Sequence, residues 1–267
     1  MRTFKIFITV ACLGFSAMVT EAFITIHNKD SFKPKEAGGG FAVVELFTSE
    51  GCSSCPPADA LVAKVQKESA NKPVYILAFH VDYWNRLGWK DVFSSADYTA
   101  RQQQYARWLK SSEIYTPQAI VNGRTEFVGS EEGTLRKAIQ AGMQKSAATP
   151  LALSDSKFGG NKASIQYQVD GSTNDASLLV ALVQKNATTK VERGENEGRT
   201  LAHVQIVTKL QTIALGGKSS GTTNIALPAG FSSEGYEVIA FVQNTSTGEI
   251  TGASKIEFPT VVSANSK

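Results

Sequence analysis

The first half of the chain alternates short apolar runs with segments that carry apolar residues at helical spacing. Residues 41–47 and 74–81 are almost wholly apolar, which is typical of buried β-strands. The Asn-Gly pair at 122–123 lies between two more apolar stretches and predicts a tight hairpin turn. Segments with apolar residues three and four positions apart predict helices at 58–65, 101–110 and 133–145. The predicted order is strand, helix, strand, helix, hairpin, helix.

Beyond Thr149-Pro150 the pattern changes to short alternating runs separated by polar, glycine-containing turns, and no helical periodicity recurs. This pattern predicts an all-β, sandwich-like domain over residues 150–262. Its predicted strands cover residues 163–169, 178–183, 204–210, 238–242 and 250–256. We therefore expect two domains, an α/β domain at 41–149 followed by this β domain.

The N-terminus has the pattern of an export signal. Arg2 and Lys5 precede an apolar run from Ile6 to Val19, and small residues near Ala22 suit a cleavage site. We predict a signal peptide at 1–22, with an uncleaved anchor as the alternative, and a polar linker at 23–40. The protein is then exported, to the periplasm or the extracellular space.

Composition narrows the function classes only slightly. The chain has 267 residues, 42% of them hydrophobic and 19% charged, with a net charge of +3. This charge is too small to indicate nucleic-acid binding, and no basic run coincides with aromatic residues. We predict no nucleic-acid partner and, once the signal is cleaved, no stable membrane span. Nothing in the sequence indicates a cofactor or the oligomeric state.

Cysteine spacing supplies the sharpest chemical signal. Of three cysteines, cleavage removes Cys12 and leaves Cys52 and Cys55 as a C-x-x-C pair. A bridge across so few residues adds little to fold stability, so its chemistry is the more plausible reason for its presence. The pair stands between a predicted strand and the amino end of a predicted helix, which favours a thiolate. Because we expect that helix to begin near Pro56, after the pair, less of its dipole acts on Cys52. We assign Cys52 as the exposed attacking sulfur and Cys55 as the buried resolving one.

At Thr116-Pro117, just before the predicted hairpin, the sequence resembles the thioredoxin superfamily. That resemblance implies a cis-proline at Pro117, packed against the C-x-x-C pair, and a substrate-facing residue at Thr116. It also makes the first domain a thioredoxin-like α/β domain, here with a long helical insertion. An alternative is that Pro117 only opens a strand.

Two polar residues follow the second predicted strand. If this strand runs parallel to the first, His80 and Asp82 lie near the thiols, where they can move protons or tune the thiolate. The alternatives are a structural histidine and a helix cap. The insertion after them holds all three tryptophans, which predicts either a wall or lid near the cysteines or a small core of its own.

Several longer strings resemble one bacterial exported family, known only as domain of unknown function 1223. They are Glu45–Asp59, Phe79–Trp84, Leu87–Asp91, Tyr115–Gln118 and Gly194–Leu201. The likeness covers both predicted domains and implies no substrate.

The favoured function is a thiol–disulfide oxidoreductase of the cell envelope that acts on protein or small-molecule thiols and disulfides. One alternative is a copper-handling protein that uses Cys52, Cys55 and His80, since thiolates and imidazole suit copper. The other is a non-catalytic binding module in which the disulfide is only structural. In the favoured reading the catalytic residues are Cys52 and Cys55, with Thr116, Pro117, His80 and Asp82 in support, and no metal is involved.

Overall fold

A computed structural model describes residues 39–259. The predicted signal peptide (1–22), most of the predicted linker (23–40) and the last residues of the predicted β domain lie outside the described residues. Within 39–259, no helix is long and apolar enough to cross a membrane.

The elements predicted before residue 150 are confirmed. The strands are β1 (Ala42–Thr48), β2 (Val74–His80), β3 (Gln118–Val121) and β4 (Thr125–Val128). The helices are α1 (Pro56–Glu68), α2 (Ala96–Leu109) and α3 (Glu132–Gln144), with a short 3-10 helix at Asn85–Leu87. Helix α1 begins at Pro56 as expected, because a proline at the first helical position lacks only an N–H that has no helical partner.

The later part of the described chain is entirely β. Its strands are β5 (Leu151–Gly159), β6 (Lys162–Val169), β7 (Ala176–Lys190), β8 (Thr200–Ala214), β9 (Ser220–Ala226), β10 (Tyr236–Asn244) and β11 (Ile250–Glu257). Five of them match the predicted strands. The sequence reading missed β5 and β9, which are the outer strands of a three-stranded sheet in the order β5-β6-β9.

The predicted fold class is wrong. The structure is mostly β, with a large mixed sheet of eight strands in the order β11-β10-β7-β8-β2-β1-β3-β4. It is not a thioredoxin-like α/β domain with a helical insertion, followed by a β-sandwich-like domain. The two halves share this sheet because β8 pairs parallel with β2, where Ala78 stands opposite Ile206. Periodicity predicted these strands but carried no information on that pairing.

Both faces of the large sheet are covered, which explains the continuous apolar runs. In β1, alternate residues contribute to two clusters. One contains Ala42, Val44 and Leu46 beside apolar residues of α1, and the other contains Val43 and Phe47 beside Tyr98 and Tyr105 of α2. Helix α2 is therefore part of the main core rather than an inserted subdomain. In β7, the side chains of 178, 180 and 182 join a third cluster with residues of β6 and β9.

A buried ion pair anchors α2 to β1. Arg101 Nε donates to Glu45 Oε2 at 2.5 Å, and both side chains are buried. The hydroxyl of Tyr105 also donates to Glu45. The Arg101 guanidinium lies 5.0 Å from the Tyr105 ring centroid and 5.4 Å from that of Phe241. These contacts explain the single charged residue in the apolar run of β1.

Candidate functional site

Cys52 and Cys55 form a disulfide in the turn between β1 and α1. Cys55 is the N-cap residue of α1, and its carbonyl accepts hydrogen bonds from the N–H groups of Ala58 and Asp59. The Cys55 N–H donates to the Cys52 carbonyl at 3.2 Å. The pair therefore sits where the sequence predicted, at the amino end of a helix after a buried strand.

The expected difference in exposure between the two cysteines is absent. Both are 0% exposed, so the prediction that Cys52 is the more exposed residue is wrong. Solvent does not reach the bridge in this conformation, and any exchange reaction requires something to move.

The cover over the cysteines includes the β7–β8 loop, residues 191–199. Asn196 is fully buried, and its Nδ2 donates to the carbonyls of Glu50 and Cys52, each at 2.9 Å. Glu195 Oε2 accepts from the Ser53 N–H at 2.9 Å. Bonds in both directions between Val191 and residues 198–199 close the loop on itself. The 191–199 loop, from the second half of the chain, is thus hydrogen-bonded to the C-x-x-C turn.

Ionisable side chains are buried behind the same turn. His80 Nδ1 lies 2.7 Å from Asp91 Oδ2, which also accepts from the Glu50 N–H at 2.9 Å. The Glu50 carboxylate accepts from Trp89 Nε1 at 2.8 Å. His80, Asp91 and Glu50 are each at most 1% exposed. Glu50, two positions before Cys52, is thereby linked to His80 through Asp91.

His203, from β8, completes this set. Its ring centroid lies 4.9 Å from that of His80, with the planes at 80°. Its Nε2 is 3.4 Å from Glu50 Oε1, and its Nδ1 is 3.7 Å from Asp59 Oδ2. Asp59 lies one helical turn after Cys55 and accepts from the Thr48 hydroxyl at 2.9 Å. We call Glu50, Asp59, His80, Asp91 and His203 the buried acid–base cluster.

Burial and mutual contact shift the protonation of the cluster. Burial raises the pKa of Asp59 above its usual range, although the two histidines oppose this. Burial alone would lower the pKa of His80, but the Asp91 carboxylate outweighs it and the pKa is raised. Burial alone would raise the pKa of Asp91, but the contact with His80 outweighs it and the pKa is lowered. The opposite shifts of His80 and Asp91 are those of an ion pair.

Pro117 and the first turn of α1 lie on either side of Gly129, and Thr116 precedes the proline. The Thr116–Pro117 peptide bond is cis, as predicted. A methyl group added at Gly129 would lie 3.2 Å from Pro117 Cβ and 3.3 Å from Ala58 Cβ, so Gly129 separates the proline from the helix. The Thr116 hydroxyl accepts from Trp84 Nε1 at 2.8 Å. The aromatic insertion thus contacts the site at Thr116 and, through Trp89, at Glu50.

Asp82 lies apart from the buried acid–base cluster. Its carboxylate accepts from the Thr99 hydroxyl of α2 at 2.6 Å, and it is only partly buried. Within residues 39–259, no three or more His, Cys, Asp and Glu side chains are placed to hold a metal ion. The copper alternative therefore has no supporting arrangement in this part of the chain.

The sequence predicted no role for Glu50, Asp59, Asp91, Asn196 or His203. The family-like strings were the available signal. Glu45–Asp59 and Leu87–Asp91 end on Asp59 and Asp91, and Gly194–Leu201 contains Asn196.

A family model described as "Protein of unknown function (DUF1223)" matches residues 43–243. A structural-genomics crystal structure of a protein from Agrobacterium tumefaciens is 32% identical, covering 81% of this chain and 93% of that one, with a TM-score of 0.62. HBP35 of Porphyromonas gingivalis is similar in fold, with 16% identity, 86% and 79% coverage, and a TM-score of 0.59. Among curated proteins, none matches the chain significantly.

Proposed function

The chain belongs to the DUF1223 family, and we propose that it is a thiol–disulfide oxidoreductase whose reactive pair is Cys52 and Cys55. The observation that carries the proposal is the position of the bridge. It closes the turn at the amino end of α1, three residues apart in sequence, with buried acids at Glu50 and Asp59 on either side. A bridge this short restricts the unfolded chain very little, so stability does not account for it.

The chemistry follows from the elements around the pair. The partial positive charge at the amino end of a helix stabilises a thiolate, which is the attacking species in exchange. Cys52 precedes the helix, so we assign it the attack on a client disulfide. Cys55, at the N-cap, then attacks Cys52 and releases the client. Thr116 and Pro117, whose ring is separated from the first turn of α1 by Gly129, are proposed to position the client.

The burial of both cysteines adds a requirement. In the closed conformation no client sulfur can approach the bridge, so exchange proceeds after the 191–199 loop has released the C-x-x-C turn. Asn196 and Glu195 hold the loop to the C-x-x-C turn by three hydrogen bonds, and none of these bonds belongs to the sheet. The loop can therefore open without unfolding the sheet. The client is a protein or small-molecule thiol or disulfide in the exported compartment indicated by residues 1–22.

Trapping of mixed disulfides tests this function. Cys55→Ser leaves the attacking thiol without its resolving partner, so it should accumulate covalent adducts that dithiothreitol releases. Cys52→Ser is the matched control and should accumulate none. Equal trapping by the two variants would overturn the assignment of roles. No trapping by either, together with unchanged cellular function of both, would support a structural disulfide instead.

A further inference from the structure

The buried acid–base cluster contains atoms whose hydrogen bonding is incomplete. Glu50 Oε1, His80 Nε2 and both ring nitrogens of His203 are buried and make no hydrogen bond to the described part of the chain. The 3.4 and 3.7 Å separations of His203 from Glu50 and Asp59 are too long for good hydrogen bonds. Each unsatisfied buried polar atom destabilises the folded state. Such a cost, concentrated in one place, indicates a functional constraint rather than a packing solution.

Charge counting shows that the cluster must hold protons. With both histidines neutral, Glu50, Asp59 and Asp91 would place three negative charges among side chains that are at most 8% exposed. Unpaired buried charge is strongly unfavourable, so protons are retained and shared. The His80–Asp91 pair accounts for one proton. Asp59, Glu50 and His203 remain to share another.

Asp59 is the residue of the cluster that lies one helical turn from Cys55. Its N–H donates to the Cys55 carbonyl at 3.1 Å, so the two residues are neighbours one turn apart on α1. Side chains at this spacing have Cβ atoms about 5–6 Å apart. His203 faces Asp59 from β8, which pairs with β2 in the large sheet.

We infer that His203 is a positioning residue of the redox site, which keeps Asp59 and Glu50 in a proton-sharing group that takes up the proton of the Cys55 thiol. This inference rests on the proposed function. The groups facing His203 are Glu50 from the turn after β1, Asp59 from α1 and His80 from β2, with Asp91 behind His80.

The step balances as follows. The Cys52 thiolate attacks a client disulfide, and one client sulfur leaves as a thiolate that is protonated by solvent. The Cys55 S–H bond then breaks, its proton passes to Asp59, and its sulfur attacks Cys52. The Cys52–client bond breaks, and the second client sulfur leaves with the electron pair and is protonated. The client gains two electrons, and the cysteine pair loses two.

Reaction of the reduced protein with 5,5′-dithiobis(2-nitrobenzoate) separates the two stages. The first thionitrobenzoate is released when Cys52 attacks the probe, and the second when Cys55 resolves the mixed disulfide. In His203→Gln we expect the second phase to slow by at least about tenfold near pH 6, in line with the loss of general-base assistance. The first phase should be unchanged. The midpoint of the second phase should move towards the ordinary thiol value of about 8.5, and the rates should converge above it.

Two further variants keep the test decisive. Asp59→Asn removes the proton acceptor from a different element and should slow the second phase in the same way. Glu237→Gln changes a buried carboxylate of β10 that pairs with Lys255 at 3.1 Å, and both phases should match those of the wild type. Circular dichroism establishes that each variant is folded. If His203→Gln does not fold, Asp59→Asn alone decides.

The outcomes separate the inference from the proposed function. A wild-type protein with no first phase contradicts both. The inference alone is contradicted if the wild type shows two phases and both cluster variants keep the wild-type rate and pH midpoint of the second phase. A uniform slowing at every pH, without a shift of the midpoint, indicates a structural role and also overturns it.

Discussion

The two hydrogen bonds from Asn196 to the C-x-x-C turn allow a quantitative prediction about access to the disulfide. In Asn196→Ala the carbonyl of Glu50 loses its donor in a fully buried position, which costs about 1–3 kcal/mol. The carbonyl of Cys52 loses a second donor but keeps the Cys55 N–H, so its loss is nearer the net value of about 1 kcal/mol. The closed loop is therefore destabilised by about 2–4 kcal/mol.

This change should appear in the rate of reduction. If reduction occurs from a loop-open state in rapid equilibrium with the closed one, the rate is proportional to the population of the open state. A shift of about 2–4 kcal/mol raises that population about 30- to 700-fold. Reduction by dithiothreitol, quenched by alkylation and measured by mass spectrometry, should accelerate by that factor.

Two controls identify the route of access. Asn186→Ala removes an exposed asparagine from β7 and should leave the rate unchanged. Glu45→Gln weakens the core between β1 and α2, so it accelerates reduction only if the bridge is reached by global unfolding. Equal rates for Asn196→Ala and the wild type would refute the loop as the barrier. Strong acceleration by Glu45→Gln would show that reduction follows unfolding of the whole chain.

Two other expectations concern stability. Glu45→Gln leaves the buried Arg101 without its carboxylate partner and should lower the free energy of unfolding by about 3–5 kcal/mol in urea titrations, whereas a loss below about 1 kcal/mol would mean that the pair is not desolvated. Because the pKa of His80 is raised, its contribution is complete below about pH 6.5 and is lost as pH rises through the folded-state pKa. Because the pKa of Asp91 is lowered, its contribution is complete above about pH 3.9 and is lost as pH falls through the folded-state pKa. Asp91→Asn should thus destabilise the protein more at about pH 5.5 than at about pH 9, and an equal loss at both would exclude the ion pair.

Local patterns in the sequence predicted most elements because each element depends on its own periodicity. The apolar run of β1, the helical spacing after Cys55 and the Asn-Gly turn at 122–123 all describe short-range structure. Pairing between β2 and β8 joins residues about 130 positions apart, and nothing in either strand specifies its neighbour. The fold class failed for this reason.

The candidate site divides in the same way. The C-x-x-C pair and the helix start at Pro56 were predictable, since both lie within one segment. The burial of Cys52 was not, because the loop that covers it comes from between β7 and β8. His203 reaches the site only through the sheet pairing, so its pattern in the sequence is that of an ordinary strand residue. A site assembled by long-range strand pairing produces no local sequence pattern that would predict it.

The reduction potential of the Cys52–Cys55 pair tests the central claim most directly. It is measured by equilibrating the protein in a series of glutathione and dithiothreitol redox buffers and quantifying the two forms after alkylation. A pair that exchanges with clients should have a potential within the range of known thiol–disulfide oxidoreductases, about −270 to −120 mV. A potential below about −300 mV is typical of inert structural bridges and would contradict the oxidoreductase function.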